Sequence, residues 1–289
     1  MSTLKALRSR IKTVRSTQKI TTAMKLVSAA KLRKAQDQLQ NFVPYDQGFR
    51  DAWELLTKGS YFEDLPHFIC PQEGAGKLLI VFMADRGLCG SYNAGMARFI
   101  KKKIEDDKKN YGAVSLLPLG HKAVDFLRKD YGQKFAGLIF PSREQRPTPL
   151  DYIQTIGDFL YDHLINHVYA SVEICYTHFE SVLKQTICVE ELLIKKEMNI
   201  PFGFAPFLEP SRKSLVRDLM PLYLTNSLRR AYFQSQTSEQ ASRMRAMDTA
   251  TNNANDVLTK LHRTYNRTRQ ATITRELIEI ISGANALTS

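Results

Sequence analysis

Between Glu239 and Leu287, residues fit for a helix seam recur at alternating steps of four and three: Met247, Thr251, Ala254, Leu258, Leu261, Tyr265, Thr268 and Thr272. Neither Gly nor Pro interrupts the run before Gly283. This spacing is the narrow a/d seam of a coiled coil, not the broad apolar stripe of a core helix. After Thr272 the seam moves over by one residue and resumes as Ile273, Leu277, Ile280, Ala284 and Leu287. A long helix with so narrow a seam is a rod, and a rod needs a partner.

The other end of the chain supplies one. From Thr3 to about Gly59 the pattern is again helical, with Leu4, Leu7, Ile11 and Val14 setting a three/four repeat. Following the apolar residues, the seam continues after a small offset as Ile20, Ala23, Val27 and Ala30, whose small side chains admit a second helix closely. Pro44 is expected to start, bend or interrupt the helix. Some 50 residues of helix run about 75 Å, beyond any compact domain of this mass. The ends of a compact insert lie close together, so the two terminal helices are predicted to join as a long antiparallel coiled coil.

Charge is placed unevenly along this pair. The chain carries a formal +12, and Lys5, Arg8, Arg10, Lys12, Arg15, Lys19, Lys25, Lys31, Arg33 and Lys34 all precede the first acid, Asp37. So one-sided a helix either seeks an acidic surface or is simply a solvated face. A basic coiled-coil nucleic-acid binder is the alternative reading, but aromatics are not interleaved with the charges and no DNA or RNA module is present. No apolar run nears the roughly 20 residues that span a bilayer, and the N-terminus lacks the apolar core of a secretory signal. Cys70, Cys89, Cys175 and Cys188 show no C-x-x-C pair and are expected as free, mostly buried thiols.

The middle of the chain differs in composition. Lys77 to Ala84 reads as a strand buried on both faces, followed by the turn Asp85-Arg86-Gly87-Leu88-Cys89-Gly90-Ser91. A helix carrying Ala97, Phe99, Ile100 and Ile104 follows, with Ser91 or Asn93 as its N-cap. Val114–Leu119 is a second strand, and Gly120 opens a helix with Ala123, Val124, Phe126 and Leu127. Phe135–Phe140 is predicted as a strand, Tyr152–Leu164 as a helix, and Ser171–Phe179 and Gln185–Ile194 as a closing hairpin. The result is an α/β (Rossmann-like) insert with a largely parallel sheet. Pro201, Pro206 and Pro210 mark a linker, Ser211 caps the second rod, and Pro221 is its one expected break. The predicted domains are 1–59, 60–210 and 211–289.

Catalytic chemistry is hard to find. Gly87 and Gly90 beside a helix N-terminus can cradle a phosphate, yet they match neither nucleotide-binding glycine pattern, and structural turns explain them better. Asp85 and Arg86 fit a pair or a cap for the turn. His163 and His167 share a helix face, but no third metal ligand accompanies them. No G-x-S-x-G elbow places a nucleophile.

Three blocks together resemble one family. Ser16 to Leu32 (STQKITTAMKLVSAAKL) resembles the N-terminal signature of the gamma subunits of F-type ATP synthases, Asp85 to Gly90 their central motif, and Tyr265 to Leu277 their C-terminal signature, with Ser238 to Met244, Ala246 and Met247 upstream. The blocks stand in family order across nearly the whole chain. This resemblance implies a non-catalytic rotor without cofactor or metal. Its coiled coil would turn inside a hexamer of α and β subunits, and its α/β domain would sit with epsilon on the c-ring. It would transmit torque that couples proton flow to ATP synthesis.

By motif match, Arg269, Gln270, Thr274 and Glu276 fall where the family contacts β or tunes coupling, and Met24 on the facing position of the N-terminal helix. Arg275 replaces the usual Gln, Arg245 puts a charge at a neutral or apolar position, and Ser91-Tyr92 replaces a more common Gly-Leu-like pair. The cysteine insert of chloroplast members is absent and no transit peptide precedes Met1. A bacterial member, peripheral on the cytoplasmic face of the plasma membrane, is therefore expected.

Overall fold

The apolar run after Gly76 forms the centre of a sheet. β1 (Gly76–Phe82) is buried at every position after its first residue. It is flanked in parallel by β2 (Val114–Leu119) and β3 (Tyr169–Phe179), with Leu79 opposite both Leu116 and Glu173. β4 (Gln185–Glu191) returns antiparallel to β3, giving the order β2-β1-β3-β4. The computed structural model describes residues 4–57, 76–136, 149–166, 168–192 and 208–288. Its helices are α1 (Leu4–Thr57), α2 (Tyr92–Tyr111), α3 (His121–Tyr131), α4 (Pro149–Ile165) and α5 (Arg212–Thr288). Helical N- and C-terminal segments thus flank a mixed-sheet insert.

The chain divides into two compact units, Ala30–Ser242 and the combination of Met1–Ala29 with Arg243–Ser289. This division cuts both terminal helices instead of following their ends. In the larger unit both faces of the sheet are covered. Leu79, Val81 and Leu116 pack under Met96, Ile100 and Ile104 of α2 and Ala123 and Leu127 of α3. Leu78, Ile80, Val172 and Ile174 pack under Ile156 and Leu160 of α4, Met220, Leu224 and Leu228 of α5, and Trp53 and Leu56 of α1. Trp53 stacks on Tyr223 at 4.3 Å and 12°. α4 approaches α5 closely because Gly157 carries no side chain: a Cβ there would lie 2.4 Å from Thr225 Oγ1.

Several local expectations meet a different outcome. α1 runs through Pro44, which is exposed, so the carbonyl left without an N–H partner one turn earlier is accommodated on the solvent side. α5 likewise runs through Pro221, which is half-buried. The strand predicted at Phe135–Phe140 is represented by a single bridge from Phe135 to Leu116, and 137–140 lie outside the described residues. Ser211 caps α5 as predicted, accepting the Ser214 N–H at 3.2 Å. Cys89 and Cys175 are buried free thiols and Cys188 is half-buried, while Cys70 lies outside the described residues.

Candidate functional site

In the smaller unit α1 and α5 run antiparallel. Arg15 Nη2 lies 3.3 Å from His262 Nε2, the Thr21 and Thr251 hydroxyls are 2.8 Å apart, and Lys25 Nζ is 2.6 Å from Asp248. On α5 the residues turned inward are those the spacing predicts. Met247 and Ala254 are buried, and Thr251, Leu258, Leu261, Tyr265, Thr268 and Thr272 are half-buried.

On α1 the predicted seam is wrong. Ile20 is 59% exposed and Val27 55%, and Ala23 and Ala30 are exposed as well. The first repeat never shifts. It continues from Val14 through Gln18, Thr21, Lys25 and Ser28, of which Thr21 and Ser28 are buried. Backbone periodicity, not side-chain polarity, sets which residues face the partner. The Thr21 hydroxyl donates to the Gln18 carbonyl at 3.0 Å and accepts from Thr251, so its burial leaves no polar group unsatisfied.

This register also fixes where the helices cease to overlap. Carried along α1 to Leu4, the Thr21–Thr251, Lys25–Asp248 and Arg15–His262 pairs reach residues 268, 269 and 273 of α5 respectively. The change of seam predicted after Thr272 falls at the far end of that span. Beyond it Ile273, Leu277, Ile278, Ile280 and Ile281 are all exposed, while the side chains of Ala284 and Leu287 lie outside the described residues. Arg269, Gln270, Thr274 and Glu276 are exposed near this end of α5. Met24 is half-buried beside the Thr21–Thr251 and Lys25–Asp248 contacts, nowhere near the level of Arg269. It does not face those four residues; at about 1.5 Å per residue it lies roughly 30 Å along the pair.

In the larger unit the Asp85–Gly90 turn leads from β1 to α2. Leu88 and Gly90 both have left-handed backbone, with φ of 63° and 60°. Asp85 Oδ1 accepts the His121 N–H at 3.1 Å, placing a carboxylate at the N-terminus of α3. Of the two predicted α2 caps, Ser91 occupies the N-cap position. The N-cap residue Ser91 makes no side-chain cap bond, and Asn93 instead accepts the Ala84 N–H and donates to Cys89 Sγ. The turn is thereby tied down by its own side chains. Tyr92, next in line, is buried and donates to the Ser235 carbonyl of α5 at 3.1 Å. Its phenol is pushed well above the ordinary range by burial, with the Glu239 carboxylate adding to the shift.

Two polar clusters of this unit have no sequence-level signal. Lys77, in the most apolar strand, is buried between Asp107 at 3.0 Å and Glu173 at 2.7 Å, and Lys103 also reaches Glu173. Arg230 of α5 reaches Asp46 of α1 at 2.6 Å and also bonds Glu190 of β4. Burial works against the guanidinium charge, but the two carboxylates outweigh it and raise the Arg230 pKa. His163 Nδ1 bonds the Phe159 carbonyl at 2.9 Å, and its proposed companion His167 is outside the described residues. No described helix is long and apolar enough to cross a membrane.

Known proteins match this architecture over its full length. The family model described as ATP synthase matches residues 3–287. The ATP synthase gamma chain of Geobacter sp. (strain M21) is 34% identical, with 99% of each chain covered. That of Hyphomonas neptunium is 36% identical, covering 99% of this chain and all of the relative. Among solved structures, the Euglena gracilis mitochondrial ATP synthase rotor aligns with a TM-score of 0.69 at 17% identity, covering 93% of this chain and 98% of the other. The central stalk and c-ring structure from Tetrahymena thermophila aligns with a TM-score of 0.59 at 23% identity, covering 80% and 99%. The chain belongs to the ATP synthase gamma chain family.

Proposed function

We propose that this protein is the central-stalk rotor of an F-type ATP synthase, carrying torque between a membrane c-ring and an αβ catalytic hexamer, without bond chemistry of its own. The observation that carries this reading is the end of α5. Past Thr272 the helix outruns α1 and exposes Ile273, Leu277, Ile278, Ile280 and Ile281. Apolar side chains make non-directional contacts, so such a surface can turn against a surrounding sleeve without breaking fixed bonds. Each orientation of the lopsided pair then favours one conformation of the hexamer, and nucleotide affinity at each site follows rotor angle.

On this reading α and β enclose the helical pair, while epsilon and the c-ring hold the sheet domain. The protein is peripheral on the cytoplasmic face of a bacterial plasma membrane, and proton flow is the driving reaction. Arg269, Gln270, Thr274 and Glu276 meet the β subunits, and Met24 tunes coupling from lower on the shaft. The test is reconstitution. The isolated chain is expected to hydrolyse no ATP and to co-purify with α and β; a soluble monomer that ignores both subunits overturns the proposal.

A further inference from the structure

Along α5 in the larger unit, five polar side chains stand four residues apart, and each is bonded to another element. Asn226 donates to the Tyr45 hydroxyl of α1 at 3.2 Å. Arg230 bridges Asp46 of α1 and Glu190 of β4. The Gln234 amide oxygen accepts the Phe179 N–H at the end of β3, at 2.9 Å. Ser238 donates to the Thr177 carbonyl of β3 at 3.0 Å, and Ser242 to Gln185 Oε1 of β4 at 3.1 Å. Asn226, Arg230, Gln234 and Ser238 are buried. The apolar cluster of α5 on the sheet lies mainly at Val216 to Ala231, and beyond Ala231 the polar row, with the Tyr92 bond to the Ser235 carbonyl, ties the helix to the domain.

A row with this spacing does not run straight up a helix. At 3.6 residues per turn each step of four advances about 40° around the axis, so five positions wind through roughly 160° over about 24 Å. The partners change accordingly, from α1 to the β3–β4 hairpin. An apolar seat acts chiefly against separation and its driving force is non-directional, whereas hydrogen bonds weaken steeply once misaligned. Turning the helix by roughly 20° sweeps a side-chain tip about 5 Å from the axis sideways by about 2 Å, enough to break every bond in the row.

We propose that Asn226, Arg230, Gln234, Ser238 and Ser242 form a torsional key that makes α5 and the sheet domain turn as one body, with Arg230 as its principal positioning residue. The inference rests on the rotor reading above. Because the bonds are spread around the axis, the key holds against torque of either sign, as synthesis and hydrolysis both require. Arg230 holds two elements at once, since its planar fork presents separate donors to two carboxylates.

The test uses the complete membrane-bound complex, comparing ATP hydrolysis with ATP-driven ion pumping. Arg230→Met keeps the unbranched stem out to the position of Nε and removes both ion pairs. A second variant, Gln234→Leu/Ser238→Ala/Ser242→Ala, loosens the row while leaving Arg230 in place. In each, hydrolysis is expected within about twofold of the parent and ions pumped per ATP are expected to fall at least threefold. Arg230→Lys is expected to recover part of that ratio. A pumping-to-hydrolysis ratio equal to the parent's in assembled Arg230→Met complex overturns the key. If Arg230→Met does not assemble, the triple variant decides, and an unchanged ratio there overturns it. Failure of the parent chain to assemble or pump strikes the rotor reading instead, which separates the two outcomes.

Discussion

The polar register of α1 is open to a direct test at Ser28. This residue is 2% exposed on the face of α1 turned toward α5, whereas Val27, its neighbour in sequence, is 55% exposed. Ser28→Leu adds two heavy atoms to a site with no room for them, and such overpacking costs about 1–3 kcal/mol. Val27→Ser and Ala30→Leu change exposed positions and should stay within about 0.5 kcal/mol of the parent. A seam built on Ile20, Ala23, Val27 and Ala30 demands the reverse order: Ala30→Leu and Val27→Ser would damage the pair and Ser28→Leu would be harmless. The assay is amide hydrogen exchange on the isolated chain, read in peptides covering 19–29 and 243–262. At about 1.4 kcal/mol per tenfold change in opening, Ser28→Leu should raise exchange there by roughly 5- to 150-fold if opening is local. Unchanged protection in Ser28→Leu, together with faster exchange in Ala30→Leu, would refute the register.

Three other outcomes follow from the larger unit. Gly157→Ala places a Cβ 2.4 Å from Thr225 Oγ1 and should cost about 1–3 kcal/mol in urea unfolding; Thr225→Ala, which removes that oxygen, should restore most of it in the double variant. Tyr92→Phe deletes the bond to the Ser235 carbonyl and should cost about 0.5–1.5 kcal/mol by the same assay, with far-ultraviolet dichroism unchanged. Burial pushes the Cys175 thiol and the Tyr223 phenol up to about 12, from ordinary values of 9.0 and 10.0, with Glu173 and Glu190 respectively adding to the effect. Both folded values are raised, so their contribution is complete below about pH 9 and is lost as pH climbs toward 12. Each group lowers stability by up to about 1.4 kcal/mol per pH unit once the unfolded chain ionises first. The urea midpoint should therefore drop between pH 9 and 11, and a flat profile would contradict the burial of both groups.

How far the sequence revealed this depends on whether a residue's role is local. The central strand was legible because a run such as Leu78 to Phe82 can be buried on both faces only in the middle of a sheet. The α5 seam was legible because its periodic positions are filled by Met247, Ala254, Leu258, Leu261 and Tyr265. The α1 seam was misread where Gln18, Thr21, Lys25 and Ser28 occupy periodic positions and Ile20 and Val27 stand next to them. Following polarity there leads off the true face. Of the two α2 cap candidates Ser91 holds the position, while Asn93 has another use, holding the Ala84 N–H of the preceding turn. Lys77, Arg230 and Gln234 gave no warning at all, since their partners lie 30 to 184 residues away and only the fold brings them together.

The misread residues share a physical logic. Polar groups at coiled-coil seam positions fix register at a cost in stability, since a slipped pairing leaves them buried without partners. Thr21 on Thr251 does this for the helical pair, and the row from Asn226 to Ser242 ties α5 to the sheet. Directional bonds therefore concentrate where two parts of the chain must not move against each other. Ile20, Leu26 and Val27, and beyond Thr272 the row of exposed isoleucines and Leu277, face outward instead. Around them stand Lys and Arg heads on long flexible stems, which yield as they are displaced. A chain stabilised only as a free monomer would gain by exchanging these sets, burying the isoleucines and exposing the threonines. The arrangement it has costs solitary stability, and that cost is intelligible for a shaft that must stay rigid inside and slide at its surface.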